Sequence, residues 1–326
     1  MIARGALALA GALATALVAT AAPLWTYAVS LALFGFVHVA VELRYVDERF
    51  GARTGSRLAT RLAVPLLGIA LVRVAAIAGL GDSSSRAVAE WSLGALLVLL
   101  VLPLLRGRGV LPSVLGAVAL GLVAWAVLAA PLDALILFAL LHNLTPIGFL
   151  AERLAGATRR RALALCAVGF VLVPLAILSG GAAHALESLG VPMTDLGPAT
   201  AGELDLHLAV FVPRAWRAED LAIDLFRAGA YLQCLHYAVV IHVLPRLGGG
   251  SEAATSQLRW PAPRQFGYAV ALAAAALFAG FAAAFAPARS VYAVFAAIHA
   301  WLEVPALLIA LACAPRSRPR PTEAAA

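Results

Sequence analysis

Ten apolar stretches of about twenty residues, separated mostly by short joints, constrain this chain more than any other feature. Segments of that length span a bilayer when helical, because a helix satisfies its own backbone there. They fall at residues 5–21, 25–43, 62–80, 89–105, 111–129, 132–150, 162–178, 228–244, 266–285 and 291–312. A hydrophobic share of 63% and a mean hydropathy of +0.94 exclude an ordinary soluble domain. The expected fold is all-α: a polytopic integral membrane bundle of about ten transmembrane helices. It forms one domain over residues 1–315, followed by a disordered basic tail at 316–326. The N-terminal run, with Arg4 ahead of an Ala-rich segment, fits a cleaved signal peptide or a first span, and Pro23 as a turn favours the span.

Orientation follows from the arginines, which account for all 24 basic residues. Eighteen lie in one alternate set of joints and five in the other, with Arg73 inside a span. The positive-inside rule then puts both termini in the cytoplasm, with the bundle in a bacterial inner membrane. The net charge of +7 is explained the same way and calls for no nucleic-acid partner. Cys166, Cys234 and Cys313 show neither CxxC spacing nor loop pairing, so no disulfide framework or zinc finger is expected. Walker, HExxH, GxSxG and CxxCH motifs are absent, as are the clustered histidines of membrane desaturases.

One connection is long. Residues 179–227, on the outer side, suit a lid or a surface loop, and the alternating run 204–212 reads as strand-like or re-entrant. From Glu219 an amphipathic helix leads into the span at 228–244. The inner loop 248–265 is Gly- and Ser-rich at first and ends with Trp260 at the interface.

Polar residues inside the spans are few, and ionisable ones at bilayer depth usually face a bundle interior and carry function. His38 and Glu42 lie in the second span, His142 and Asn143 in the sixth, His236 and His242 in the eighth, and His299 and Glu303 in the tenth. With an inside N-terminus all four spans run in one direction, and their histidines fall in the inner half or near the midplane. Independent structural histidines have no reason to share a direction, so one polar site within the bundle is expected. His236 and His242 stand about 120° apart around their helix and about 9 Å apart along it, too far to suit a single ion easily. His38 with Glu42, and His299 with Glu303, are i, i+4 pairs in which a carboxylate orients an imidazole or binds metal itself.

Imidazole-rich sites suit iron, copper or zinc, and an open redox-capable site points to iron or copper. Hydrogen-bonded structural histidines or a proton path remain as the other explanation. Arg73 pairs with a buried carboxylate or snorkels; Arg44, Tyr45, Asp47, Glu48 and Arg49 bind lipid phosphate or simply follow the positive-inside rule. Gln233 bonds a ligand or a neighbouring helix. His184 and His207, in the outer loop, are read as solvated.

The order of these motifs resembles the Brp/Blh family of bacterial and archaeal β-carotene dioxygenases. His38 with Glu42 is similar to the family's early histidine and following acid, and His142 to its middle histidine. Tyr231 with His236 and His242 is similar to its later two-histidine helix, and His299 to the histidine of its final span. The resemblance covers four segments. It departs in having no Gly after His38, Glu at position 42 where the family has Asp, and H-x5-H in place of H-x3-H. It implies a non-haem Fe(II) oxygenase acting with O2 on a lipophilic carotenoid or polyene delivered through membrane lipids. His38, His142, His236 and His299 would be ligands, Glu42 and Glu303 would orient them, and His242 would be a substitute ligand or a nearby donor. The alternatives are a b-type haem electron carrier, and a proton-coupled transporter or lipid-binding membrane protein without catalysis. The sequence leaves the oligomeric state open.

Overall fold

The computed structural model describes residues 2–105, 110–248 and 256–313. The expected basic tail, Arg106 and Arg108, and the Gly/Ser-rich start of the inner loop lie outside the described residues. Within them the chain is a helical bundle without strands, with only one isolated bridge, between Leu196 and Glu203. Eight helical segments are long and apolar enough to cross a membrane, as expected of a multi-pass membrane protein, and two shorter apolar helices cover Gly5–Ala21 and Ser113–Ala129.

The elements are α1 (Ile2–Ala21), α2 (Pro23–Ile77), α3 (Ser83–Leu105), α4 (Val110–Ala129), α5 (Pro131–Leu141), α6 (Thr145–Arg153), α7 (Gly156–Ala167), α8 (Val173–Leu178), α9 (Gly181–Ser188), α10 (Leu221–His242), α11 (Leu244–Gly248), α12 (Pro263–Ala283) and α13 (Phe285–Cys313). Pro opens α2, α5 and α12, where its missing N–H costs nothing. The expected joint between the second and third spans is instead helical. It breaks at Gly55, whose φ of 65° and ψ of 160° suit a residue without Cβ. The two arms, Pro23–Gly51 and Thr54–Ile77, are each of spanning length.

Two proline-linked irregularities shape the interior. Pro146 has no N–H for the carbonyl of His142, and the Thr145 hydroxyl donates to that carbonyl instead, at 2.7 Å, within the 3-10 turn His142–Leu144 joining α5 to α6. Pro174 follows a π-turn at Val168–Leu172, and Tyr231 from α10 donates to the Gly169 carbonyl at 2.8 Å.

The four spans that carry the polar residues run in the same direction. At their C-terminal ends Arg49 pairs with Glu152 at 2.6 Å, and Arg153 donates to the Leu247 carbonyl, also at 2.6 Å. Asp47 there accepts from the Gln257 and Leu258 amides at 3.0 Å and from the Trp260 indole at 2.9 Å. The expected interfacial Trp260 thus has a protein acceptor. At their N-terminal ends Tyr27 packs edge-on against Phe226 and Phe285, with centroids 5.5 and 6.1 Å apart. The Arg214 amide meets the Asp133 carboxylate at 2.9 Å.

The long connection at 179–227 is a packed cap over these N-terminal ends. Its alternating run is not a strand but a 3-10 helix, Leu204–Val210. Leu204, His207, Leu208, Phe211 and Val212 are buried while Leu206 is 70% exposed, so burial recurs at steps of three and four, as on a helix, and not at every second residue. Helix α10 begins at Leu221 and continues into the membrane, as its amphipathic start requires. His184 is exposed as expected, but His207 is buried: its Nε2 donates to the Ala201 carbonyl at 2.8 Å and its Nδ1 accepts from Arg289 at 2.9 Å.

Candidate metal centre

The middle of the bundle gathers side chains from α2, the α5–α6 turn, α10 and α13. His38, Glu42, His236, His299 and Glu303 are all buried, none more than 1% exposed. His38 and His299 approach through their Nε2 atoms to 3.2 Å. The Nδ1–H of His38 points at the Phe34 carbonyl one turn earlier, at 3.4 Å, which leaves Nε2 with its lone pair. The Glu42 carboxylate crosses to the other helices: Oε2 lies 3.5 Å from His236 Nε2 and 3.9 Å from His299 Nε2. Two donor sets result, His38/His236/His299 and Glu42/His236/His299/Glu303, each with its ligand atoms within 4.8 Å of one another.

These distances fit a bound ion. With metal–ligand bonds of about 2.1 Å, two donors on one ion lie no more than about 4.2 Å apart. The three measured separations are 3.2, 3.5 and 3.9 Å. The valences ask for one as well. None of the four carboxylate oxygens of Glu42 and Glu303 meets a donor at hydrogen-bond geometry, nor does either nitrogen of His236. Such groups are too costly to bury bare, so a cation or shared protons must compensate them. Glu42 and Glu303 therefore offer ligand atoms of their own, and neither is hydrogen-bonded to the histidine one turn before it, so the expected orienting pairs are not formed.

His142 joins by ring contact. It stacks on His236 with centroids 4.8 Å apart and planes 17° apart, and meets His299 edge-on at 5.1 Å. It is half-buried, stands outside both donor sets and lines a cavity. His242 is not brought in. It is exposed at the end of α10, on a groove of about 630 Å³ that it shares with Trp25 and Phe34, as its angular offset from His236 requires. Asn143 bonds the Ala139 and Leu140 carbonyls of its own helix. Gln233 is a helix–helix tie, donating to Ser30 Oγ at 2.8 Å.

Two features went unread in the sequence. Tyr237 stacks on His38, and its only signal was its place beside His236. Glu90 is the buried partner of Arg73, at 2.7 Å, and also accepts from the Trp301 indole at 3.0 Å. Trp301 packs on Phe138 at 4.4 Å and over Gly94, where a methyl group would overlap its ring.

A cavity of about 410 Å³ opens on this centre and is lined by His142, His299, Tyr237, Tyr292 and Trp301. It reaches Arg289 and Phe211 beneath the cap. Tyr237 also lines the lateral groove carrying His242, so its ring is a wall common to both spaces. Searches against protein-family models, curated proteins and solved structures find no match to this chain.

Proposed function

We propose that the chain is a non-haem iron oxygenase of a bacterial inner membrane, with ten spans and both termini cytoplasmic. Its substrate is a lipophilic molecule such as a carotenoid or another polyene, and its relation to the Brp/Blh family is part of the proposal. The observation that carries this reading is the meeting of three imidazole nitrogens and two carboxylates without a hydrogen-bond donor, from three helices, beside a cavity lined by aromatic, small and polar side chains.

His38, His236 and His299 with Glu42 and Glu303 would hold the ion, a mixture of nitrogen and oxygen donors that suits Fe(II). Bound iron supplies the capacity to react with O2. The protein contributes the rest. Two carboxylates offset a divalent charge in a dry interior. The Phe34 carbonyl fixes the His38 tautomer, and the ring of Tyr237 fixes its plane. The packed cap limits water at one end of the cavity. His142 stands on the cavity side, where a substrate would pass. A haem is disfavoured by the packing: His38 lies 5.3 Å from His236 and 4.8 Å from His299 between ring centroids, and Glu42 occupies the space between those two rings.

The test is metal analysis of the purified protein together with polyene turnover. Iron at about one ion per chain, activity lost to a chelator and restored by Fe(II), and no Soret band are expected. Full activity in a His236→Ala, His299→Ala double variant overturns the reading, and a metal-free protein whose ligand binding follows protonation assigns it to the proton-coupled class instead.

A further inference from the structure

The cavity has a second pole, at Arg289 in the first turns of α13. Arg289 donates to His207 Nδ1, a neutral partner, and no carboxylate pairs with it among the described residues. The one acid lining the cavity, Glu90, is already engaged by Arg73 and Trp301. A half-buried guanidinium is thus left uncompensated near a helix N-terminus, which is itself positive.

The face of α13 between Arg289 and His299 points to the shape of what completes it. Past Tyr292, which lines the cavity one turn from Arg289, Ala293, Ala296, Ala297 and Ala300 line it at helical spacing, so small side chains make up much of this side of the helix as far as the imidazole. Ten residues separate the two, a rise of about 15 Å. An extended chain of about a dozen atoms, with bonds of about 1.5 Å in zigzag, covers that length.

We infer that the cavity binds a single-chain amphiphile with a carboxylate end on Arg289 and an unsaturated tail along the alanine face, presenting a bond about a dozen atoms from the carboxylate to the centre. This assignment of substrate class rests on the oxygenase reading for what happens at the tail, while the binding itself is independent of it. A volume of about 410 Å³ suits one chain and not a two-chain phospholipid.

The experiment uses the full-length protein in detergent with a fluorescent conjugated tetraenoic fatty acid, its methyl ester as competitor, and phosphatidylglycerol as a second competitor. Metal content is measured on each preparation. The acid is expected to bind about tenfold or more tightly than the ester, as one charge-assisted contact implies. Arg289→Gln should remove that preference while ester binding and metal content stay as in wild type; Ala296→Phe should block acid and ester alike. Equal binding of acid and ester by wild type, or a preference that survives Arg289→Gln, overturns the inference, as does phosphatidylglycerol competing as well as the acid. Absence of the preference in wild-type protein that holds its metal sinks this inference alone. A preserved preference in a metal-free protein sinks the oxygenase reading alone.

Discussion

The phenol ring of Tyr237 lies flat on the imidazole of His38, with centroids 4.0 Å apart and planes inclined by 25°, and its hydroxyl meets that of Tyr292 at 3.3 Å. Stacking holds the His38 plane, while the hydroxyl contact holds the phenol. Tyr237→Phe keeps the stack and is expected to retain metal. Tyr237→Ala removes the wall between the cavity and the lateral groove, and is expected to cost about 3 kcal/mol of stability and to weaken metal binding about tenfold. Thermal unfolding and metal titration of both variants check this; equal metal affinity in the two would mean that the ring plays no part in placing His38.

The donor sets make a sharper distinction among the histidines. His299→Ala and Glu42→Gln each delete an atom from the cluster and should lower metal occupancy to about a tenth or less under limiting metal. His242→Ala, on the lateral groove, should leave occupancy unchanged. Inductively coupled plasma analysis of the three purified variants reads the result directly, and loss of metal from His242→Ala would place the centre elsewhere.

Why these residues were legible is a matter of cost. A histidine or glutamate inside an apolar span stands out, because the bilayer penalises it unless something inside the bundle repays it. His38, Glu42, His236, His299 and Glu303 were therefore visible one at a time, and their convergence followed from four spans of one direction. The six-residue offset argued against one ion taking both His236 and His242, yet His242 was still read as a substitute ligand, and its exposed place outside both donor sets corrects that. His207 was illegible for the opposite reason: a histidine in a polar loop reads as solvated, and only the folded cap shows it between Ala201 and Arg289. The run 204–212 misled because its leucines and valines alternate in sequence, while the fold buries its residues at the three- and four-residue steps of a helical turn. Glu90 was missed because it falls at the very start of the apolar stretch 89–105, where an acid reads as the polar end of a span, whereas its helix begins about two turns earlier at Ser83. Tyr237 could not be read, since stacking depends on a neighbouring helix.

Glu90 shows what such a partner is worth. It is buried with Arg73 on one side and the Trp301 indole on the other. Glu90→Ala strands both donors. Breaking a buried pair costs about 3–5 kcal/mol, and the partial exposure of Arg73 lowers the expectation to about 2. Glu90→Gln keeps an acceptor for Trp301 and should fall between. An Arg73→Met, Glu90→Leu double variant should recover most of the loss. Thermal unfolding in detergent ranks the four proteins, and a Glu90→Ala variant as stable as wild type would show that the pair contributes nothing.

Topology gives an independent check on the proposal that both termini are cytoplasmic. Single cysteines placed at residues 3 and 322 in a protein whose own three cysteines are replaced should both resist a membrane-impermeant maleimide in intact cells, whereas one at residue 192 in the cap should react. Labelling of one terminus alone would require an odd number of spans.

The cap carries a pH dependence whose sign follows from His207. Burial pushes its imidazole below the ordinary value of 6.5; the bond to the Ala201 carbonyl opposes this, and the Arg289 charge adds to it. The neutral ring serves both partners at once, donating through Nε2 and accepting through Nδ1. A proton on Nδ1 would set it donor to donor against the guanidinium. The unfolded chain takes up its proton near the ordinary value, the folded chain only at lower pH, so the unfolded state binds more protons throughout that interval. His207 therefore costs no stability above the ordinary imidazole value, and stability falls as pH drops from there toward the folded value. Below both values the loss is complete and levels off. In thermal unfolding across this range, wild type should lose stability as the buffer is acidified, and His207→Gln, which keeps a donor and an acceptor but cannot charge, should lose less over the same interval. Identical slopes for the two proteins would mean that the ring is not held neutral beneath the cap.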